Sequence, residues 1–365
     1  MHERPLCRRP PATLVSMALS ARSQANSRIR EFDLINALKQ RYGTVDSRVV
    51  RGIGDDAAVI ASNRHRRCLL TTDLLAEGVH FDRRTATLGD IGFRAAIANL
   101  SDIAAMGGTP EYLLVSLAIP HDITARHVEQ LYHGIMAASR PHGVRLIGGD
   151  TSASKDGWFI NLTVVGSAES NGILLRSGAR AGDDLYVTGT LGDSRAGLHL
   201  LHRLRSPARS LSAGQQRFLK RRHLRPTARI REGKWLSKGR WATSAIDLSD
   251  GLSGDLRHLC TESGVGALIE LAALPISAAC RQYARSVHQV PHSIALAGGE
   301  DYELLFTVSA RERDRFERAS AQRHYHVTRV GKMTPAKEGL RMMLPNGSQR
   351  PLSFSSYEHF STRSR

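Results

Sequence analysis

Apolar side chains recur at helical spacing in some segments of this chain and in short unbroken runs in others. The two patterns predict alternating helices and strands. The folded region opens with a predicted amphipathic helix, whose apolar residues between 29 and 38 share one face. Strands are predicted at residues 68–72, 112–119, 144–147 and 159–165, and helices at residues 91–106 and 125–139. The first half of the chain is therefore expected to form an α/β domain.

A turn-rich stretch at residues 166–182 predicts a domain boundary, and a second α/β unit is expected beyond it. Its predicted strands lie at residues 185–188, 244–248, 267–271 and 304–308, and its predicted helices at residues 193–204 and 253–263. Residues 205–225 are expected to be a basic surface stretch. The predicted organisation is a leader at 1–27, an N-terminal domain at 28–166, a C-terminal domain at 167–345 and a tail at 346–365.

The length and composition agree with two globular domains. The chain has 365 residues, of which 41% are hydrophobic and 23% are charged. These values exclude wholesale disorder, a collagen-like chain and a small disulfide-stapled protein. Every apolar run is far shorter than the roughly 20 residues that a membrane span needs, so no membrane association is expected.

The net charge is unevenly distributed. The chain has 51 Lys and Arg against 34 Asp and Glu, a formal charge of +17. Residues 1–30 carry +5 of this excess and residues 201–240 carry +12, so the remainder is neutral. A basic RNA-binding protein is one alternative on this ground. Residues 201–240 offer only Phe218 and Trp235 for stacking on bases, however, so a solvated arginine-rich helix face is the expected role.

The four cysteines form no C-x-x-C pair and have no histidine at zinc-finger spacing. We therefore expect free thiols in a reducing compartment, the cytoplasm, and no structural zinc. Residues 1–27 lack the apolar core and the small-residue cleavage site of a secretory signal. They are expected to be a disordered leader or a start assigned too early, with Met17 as the alternative first residue.

Acidic residues stand beside glycines or small hydroxyl residues at the ends of six apolar runs. These acidic residues are Asp55, Asp56, Asp73, Asp102, Asp150, Asp247, Asp250, Glu300 and Asp301. Converging carboxylates bind hard divalent cations, and Mg²⁺ typically takes one or two of them together with substrate phosphates. Any single motif can instead be a turn residue or a helix cap. Six of them in one chain favour a shared metal and phosphate site.

The common phosphate-binding and hydrolase motifs are missing from the sequence. It contains no G-x-x-x-x-G-K-[ST], no G-x-G-x-x-G and no G-x-S-x-G. His80 and His359 are isolated, and an isolated histidine is more often a packing or surface residue than a catalytic one. Phosphate handling in this chain would therefore depend on metal ions.

On seven stretches taken in order, the sequence resembles the thiamine-monophosphate kinase family, which belongs to a superfamily with aminoimidazole ribonucleotide synthetase and selenophosphate synthetase. The stretches are GIGDDAAVI (52–60), TTDLLAEGVHF (71–81), NLSDIAAMGGTP (99–110), IGGDTS (147–152), RSGARAGDDLYVTG (176–189), IDLSDGLSGDL (246–256) and AGGEDYELLFT (297–307). The resemblance implies an α/β (α+β) fold of two domains, of the aminoimidazole ribonucleotide synthetase type. It further implies that the N-terminal domain builds a β-barrel across a homodimer, with ATP in the cleft between the domains.

The resemblance also implies roles for individual residues. The magnesium ligands of the family match Asp56, Thr72, Asp73, Asp102, Asp150, Asp247 and Asp250, with Thr71 adjoining. The nucleotide contacts match Gly149, Asp150, Arg176 and Ser249. The contacts to thiamine monophosphate match His80, Glu300 and Tyr357. Among the carboxylates, Asp102, Asp150 and Asp250 are expected to take part in catalysis.

The implied reaction moves the γ-phosphoryl group of ATP onto thiamine monophosphate, directly and in line, with several Mg²⁺ ions. The product, thiamine diphosphate, would complete the biosynthesis of that cofactor. The second pKa of a phosphate monoester is about 6, so the acceptor is mostly dianionic at neutral pH and needs no general base. Arg176 is expected to fork onto the ATP phosphates. Tyr357 is expected to stack on the thiamine rings, and Glu300 to pair with the cationic thiazolium or bond the aminopyrimidine.

Another ATP-using enzyme of the same superfamily is the nearest alternative. A selenophosphate synthetase would want a reactive cysteine or selenocysteine near the N-terminus, and Cys7 lies in the predicted leader. An amide-activating ligase would lack the EGVHF element and Tyr357. Nucleic acid is not expected as a partner.

Overall fold

The computed structural model describes residues 31–202 and 210–352, which form two α/β domains. The elements of the first domain are α1 (Glu31–Tyr42), β1 (Val49–Arg51), β2 (Ala58–Ala61), β3 (Arg66–Ala76), α2 (Leu88–Ala105), β4 (Thr109–Ile119), α3 (Ala125–Ser139), β5 (Arg145–Ala153) and β6 (Phe159–Glu169). Its sheet has the strand order β1-β2-β3-β6-β4-β5. In this sheet only the β4–β5 pair is parallel. Strand β5 is the edge strand at one end of the sheet.

Helix α2 covers one face of this sheet and is the buried centre of the domain. The hydroxyl of Thr87 caps its first turn by accepting a hydrogen bond from the backbone N–H of Asp90. Its apolar side chains, among them Ile91, Leu100 and Ile103, are almost fully buried. The opposite face of the sheet exposes apolar side chains.

The second domain follows a turn-rich connection. Its elements are β7 (Asp184–Thr188), α4 (Asp193–Leu201), α5 (Ala213–Leu224), α6 (Ile230–Lys238), β8 (Ala242–Asp247), α7 (Leu252–Ser263), β9 (Val265–Glu270), α8 (Ala278–Ser286), α9 (Pro291–Ala297), β10 (Leu304–Val308), α10 (Arg313–Gln322), β11 (Val327–Pro335), β12 (Leu340–Met343) and β13 (Gln349–Pro351). The sheet has the order β13-β12-β9-β11-β7-β10-β8. Every residue of β7 and β10 is buried, because helices cover both faces there.

The two domains meet along α2. Helix α6 of the second domain crosses α2 at Gly233, where an added Cβ atom would lie 2.0 Å from the carbonyl oxygen of Ala104. Only a glycine allows the two backbones to approach this closely. The crossing fixes the C-terminal half of α2, which carries Asp102, against the second domain.

The structure confirms most of the predicted elements. The helix predicted at residues 125–139 coincides with α3, and the strands predicted at 68–72, 112–119 and 159–165 lie within β3, β4 and β6. The N-terminal domain was predicted to end at residue 166, and β6 continues beyond that residue to Glu169.

Two segments depart in part from the sequence predictions. Residues 205–225 were expected to be a basic surface stretch with a solvated helix face; residues 213–224 form the helix α5, which has exposed residues but also buries Leu219 and His223. The tail was expected to begin at residue 346, but Gln349–Pro351 pairs with β12 as β13 and Leu352 is buried. Both segments supply buried residues whose partners lie far away in the sequence.

Candidate functional site

Three carboxylates from separate elements meet at the junction of the two domains. Asp56 lies in the loop between β1 and β2, Asp102 lies near the C-terminal end of α2, and Asp247 ends β8. One carboxylate oxygen of each residue lies within 4.8 Å of those of the other two. We call these three residues the carboxylate cluster. The sequence predicted each of them as a metal ligand, and the fold brings them together.

Burial and mutual repulsion make this cluster electrostatically costly. Burial, followed by repulsion from Asp56, raises the pKa of Asp247 to about 8. The pKa of Asp102 is raised well above its ordinary value by burial and then by repulsion from Asp73, Asp247 and Asp56. Burial also raises the pKa of Asp73 to about 6. A bound cation would relieve this repulsion.

The donor set of the cluster fits a hard divalent cation. The Oδ2 atoms of Asp56 and Asp247 are buried and have no hydrogen-bond partner among the residues that the structure describes, which is a costly state for a carboxylate oxygen. Hard oxygen donors of this kind are the ligands that Mg²⁺ prefers. The cluster therefore fits the magnesium site that the sequence predicted.

Arg176 closes one side of the cluster. Its Nη2 and Nε atoms lie 2.5 Å and 3.1 Å from Oδ1 of Asp56, and its backbone N–H donates to Oδ1 of Asp55 at 3.2 Å. Burial, followed by repulsion from Asp56, raises the pKa of Asp55 to about 7. Arg176, which was predicted to contact the nucleotide, therefore holds the carboxylates of Asp55 and Asp56 in place in this structure.

The two threonines of the Thr71-Thr72-Asp73 motif face opposite sides of the first sheet. The hydroxyl of Thr71 donates a hydrogen bond to Asp102. The hydroxyl of Thr72 instead bonds to β6, where it lies 3.1 Å from the carbonyl oxygen of Leu162. Side chains alternate along a strand, so Asp73 lies on the same face as Thr71 and next to the cluster.

Asp150 is not part of the cluster within one chain. Asp150 on β5 pairs with Ser116 on β4. Asp73 on β3 pairs with Leu162 on β6, which in turn pairs with Val115 on β4, and both of these apolar residues are buried under α2. Paired residues share a face, so Asp150 and Asp73 lie on opposite faces of the sheet. Three strand spacings, about 14 Å along the sheet, also separate β3 from β5.

Gly149 has a packing role of its own. A Cβ atom at this position would lie 1.8 Å from the carbonyl oxygen of Val115, so only glycine fits beside β4.

The loop after β8 carries Ser249 and Asp250. The carboxylate of Asp255, in the first turn of α7, accepts hydrogen bonds from the backbone N–H groups of Asp250 and Gly251 at 3.2 Å and 3.1 Å. The carbonyl oxygen of Ser249 accepts a bond from the backbone N–H of Glu300 at 2.7 Å. This loop and the Glu300 loop are thus held together.

His80 and Glu300, which come from different domains, are joined by one buried arginine. Nη2 of Arg94 lies 3.1 Å from Oε1 of Glu300 and donates to the backbone carbonyl of His80. Nδ1 of His80 accepts a hydrogen bond from the backbone N–H of Ala76 at 3.0 Å. The third predicted contact to the acceptor, Tyr357, lies outside the described residues.

Arg94, His223 and Asp255 were not among the site residues predicted from the sequence. Asp255 stands five residues after Asp250 at the start of a predicted helix, which is a recognisable position for a capping carboxylate. Arg94 and His223 gave no comparable signal, because their significance depends on tertiary contacts. Among the residues that the structure describes, no helix is long and apolar enough to cross a membrane.

Comparisons with known proteins agree with this architecture. The family model for the N-terminal domain of AIR synthase related proteins matches residues 54–168, and the model for their C-terminal domain matches residues 180–342. Hydrogenase maturation protein HypE of E. coli, 20% identical with a TM-score of 0.65, shares the fold.

Relatives with higher sequence identity to this chain show which family of AIR synthase related proteins it resembles. The thiamine-monophosphate kinase of Escherichia coli O157:H7 is 38% identical over 335 residues, which are 91% of this chain and 98% of that protein. That of Aquifex aeolicus (strain VF5) is 40% identical over 277 residues, 76% of this chain and 85% of that protein. A solved structure, AaThiL complexed with AMPPCP and TMP, has a TM-score of 0.79 and 35% identity, covering 92% of this chain and 100% of its own. The chain therefore belongs to the thiamine-monophosphate kinase family of the AIR synthase related proteins.

Proposed function

We propose that this chain transfers the γ-phosphoryl group of ATP to the phosphate of thiamine monophosphate, giving thiamine diphosphate and ADP. The observation that carries the proposal is the carboxylate cluster, which joins ligands from both domains where a polyanionic donor and acceptor would meet. The relatives that bear this activity as their name match nearly the whole chain, which supports the same assignment.

The carboxylate cluster would hold magnesium, with Asp73 beside it. Thr72, Asp150 and Asp250 remain proposed ligands of further Mg²⁺ ions, and Thr71 would orient Asp102. Bound Mg²⁺ supplies positive charge that offsets the repulsion between the phosphate groups. The role of the protein side chains is to fix where that charge lies, so that donor and acceptor are aligned for direct in-line transfer.

We expect metal removal to make the stability of the protein fall with rising pH. In the folded chain the pKa is about 6 for Asp73 and about 8 for Asp247, whereas the ordinary value is 3.8. At a pH between the ordinary value and the folded-state value of each residue, the folded chain therefore binds more protons than the unfolded chain. This contribution to stability is fully present below about pH 4 and is lost as the pH rises through the folded-state values. Asp247 alone should lose on the order of 2 kcal/mol between pH 6 and pH 8.

Thermal melts in EDTA and in excess Mg²⁺ would measure this effect. The Tm gained by adding Mg²⁺ should be larger at pH 8 than at pH 6, because Mg²⁺ competes with protons for the same oxygens. An equal Tm gain at both pH values would contradict the assignment of the cluster as the metal site.

The acceptor would be held between the two domains by His80 and Glu300. The Glu300 side chain keeps 29% of its surface exposed, so its outer lone pairs remain available to a cation such as the thiazolium ring. Tyr357 is proposed to stack on the same ligand. Gly149, Asp150, Arg176 and Ser249 remain the proposed nucleotide contacts. Because Asp150 lies on the opposite face of the first sheet from the cluster, it would reach a nucleotide bound at Arg176 only from a second copy of the chain.

A homodimer is proposed across the exposed face of the first sheet. Leu74, Tyr112 and Phe159 lie on that face, with 54%, 37% and 41% of their surfaces exposed. Asp150 shares this face, so a second copy covering it would surround Asp150 with partner residues. Light scattering should give twice the mass of the chain, and Leu74→Asp should shift the protein towards the monomer.

A coupled assay of ADP release tests the proposed function. ATP-Mg²⁺ is supplied with a panel of phosphomonoesters, including thiamine monophosphate, ribose 5-phosphate and pyridoxal phosphate. Only thiamine monophosphate should support sustained ADP release. Equal rates with several acceptors, or with none added, would overturn the proposal.

A further inference from the structure

Arg94 contacts both residues that are proposed to bind the acceptor. Its side chain lies on α2 and is 4% exposed. The guanidinium donates to the backbone carbonyl of His80 and pairs with the Glu300 carboxylate through Nη2, and its Nη1 lies 2.9 Å from Nε2 of His223. One buried cation therefore connects a loop of the first domain, a loop of the second domain and helix α5.

The contacts of His223 fix its tautomer. A guanidinium can only donate, so Nε2 of His223 must accept the hydrogen bond from Arg94 and carries no proton. The proton then lies on Nδ1, which is 3.0 Å from Oγ of Ser194 and 3.4 Å from Oε2 of Glu300. Burial, followed by repulsion from Arg94, lowers the pKa of His223 well below its ordinary value, which agrees with a neutral ring. The ring therefore donates this N–H to Oγ of Ser194, with Oε2 of the Glu300 carboxylate lying beside it.

The loop that carries Glu300 is held in an unusual backbone conformation. Glu300 and Tyr302 have φ values of 62° and 51°, in the left-handed region that non-glycine residues seldom adopt. Such a conformation persists only where the surroundings enforce it. Glu303, at the end of this loop, is fully buried and pairs with Arg222 at 2.8 Å and with Arg229 at 2.5 Å.

These contacts explain the basic segment at residues 201–240. Arg222, His223 and Arg229 all belong to it, and each side chain is turned inward, against Glu303 or Glu300. Part of the positive charge is therefore matched by buried carboxylates of the same chain. This disagrees with a segment that serves only as a solvated face or as a surface for nucleic acid.

We propose that Arg94 and His223 are positioning residues for the acceptor, and that they set the orientation of the Glu300 carboxylate and its distance from His80 across the domain junction. The proposal rests on the proposed function, because it assumes that these two residues face thiamine monophosphate. Nη2 of Arg94 lies 3.1 Å from Oε1 and Nδ1 of His223 lies 3.4 Å from Oε2, so each oxygen of the Glu300 carboxylate lies against a nitrogen of a buried side chain. Neither residue contacts the carboxylate cluster, so their loss should weaken acceptor binding and leave nucleotide binding intact.

Steady-state kinetics on three variants test this. Arg94→Met removes the positive charge. Arg94→Lys keeps the charge, but a single ammonium group cannot reach all three partners of the guanidinium. His223→Asn keeps a hydrogen-bond donor near the position of Nδ1. The matched control is Arg225→Gln, which breaks the 2.7 Å pair between Arg225, the residue that follows α5, and Asp90 of α2 but touches neither loop. Melting temperatures are measured for each protein.

We expect the KM for thiamine monophosphate to rise about 10–100-fold in Arg94→Met, as for loss of a hydrogen-bonded buried charge, and less in Arg94→Lys and His223→Asn. The KM for ATP should stay within about 3-fold of the parent value, since the contacts that are lost lie on the acceptor side. Arg225→Gln should resemble the parent protein. A joint rise of both KM values, or a lower Tm with both KM values unchanged, would overturn the proposal.

An NMR measurement on the parent protein keeps the proposal testable if a variant fails to fold. The ¹⁵N chemical shifts of labelled histidine, assigned to His223 by difference from His223→Asn or from His223→Gln, should show a neutral ring protonated at Nδ1. A ring protonated at Nε2 would overturn the proposal. If the parent protein shows no turnover of thiamine monophosphate, the proposed function fails, whereas normal turnover with an unchanged KM in Arg94→Met contradicts this inference alone.

Discussion

Asp102→Asn should leave the fold intact and lower kcat by about 100-fold or more, which corresponds to about 2.7 kcal/mol of transition-state stabilisation. Asparagine can still accept the hydrogen bond that Thr71 donates to Asp102, so the substitution removes little except the charge. That charge lies among Asp56, Asp73 and Asp247, where it is unfavourable to the fold and useful only to a cation. The melting temperature without metal should therefore stay equal or rise, and higher Mg²⁺ or Mn²⁺ should restore part of the rate.

The matched control for this variant is Asp90→Asn on the same helix. The Asp90 carboxylate accepts hydrogen bonds from Thr87 and Arg225 at 2.7 Å each, and it is not in the carboxylate cluster. Its substitution should leave kcat close to the parent value. A soluble Asp102→Asn protein with near-parental kcat at limiting Mg²⁺ would remove Asp102 from the metal site.

Free thiamine should be a very poor acceptor, with kcat/KM at least about 1,000-fold below that of thiamine monophosphate. The phosphate dianion attacks without losing a proton, whereas the hydroxyl of thiamine must lose one, and general-base catalysis typically contributes about 100–10,000-fold. Among the described residues, the cluster contacts Arg176 and the hydroxyl of Thr71, which donates to Asp102; these groups and the carboxylates fit a metal site better than a base.

Measuring kcat/KM for the two acceptors at pH 7 and at pH 9 tests this prediction. Comparable values at neutral pH would show that a base acts on the acceptor. A control with thiamine added to the monophosphate reaction separates weak binding from slow chemistry, since a bound but unreactive thiamine inhibits.

The sequence predicted the members of the site better than their arrangement. Asp56, Asp102 and Asp247 each stand at an end of an apolar run, beside glycine or a small hydroxyl residue in the same motif, and that local signal was enough to select them. Their convergence depends on how α2 packs against β8 and α6, which no local pattern records. Strand alternation alone already implies that Thr71 and Thr72 face opposite ways.

Strand register and ion pairs between residues distant in the sequence determine the parts of the site that the sequence did not predict. Asp150 and Asp73 occur in similar motifs, yet the ladders β3–β6, β6–β4 and β4–β5 place them on opposite faces of one sheet. The charge count of residues 201–240 suggested solvent exposure, because the partner of Arg222 and Arg229, Glu303, lies more than 70 residues away. Charge composition does not distinguish a solvated arginine from one paired inside the fold.

Transfer of radiolabel from [γ-³²P]ATP tests the central claim most directly. The protein is incubated with Mg²⁺, labelled ATP and unlabelled thiamine monophosphate, and the products are separated by chromatography. The account predicts that the label appears in thiamine diphosphate in a one-to-one ratio with the ADP formed, and that none stays on the protein. Label released as inorganic phosphate, or ADP formed without labelled thiamine diphosphate, would contradict the claim that this chain phosphorylates thiamine monophosphate.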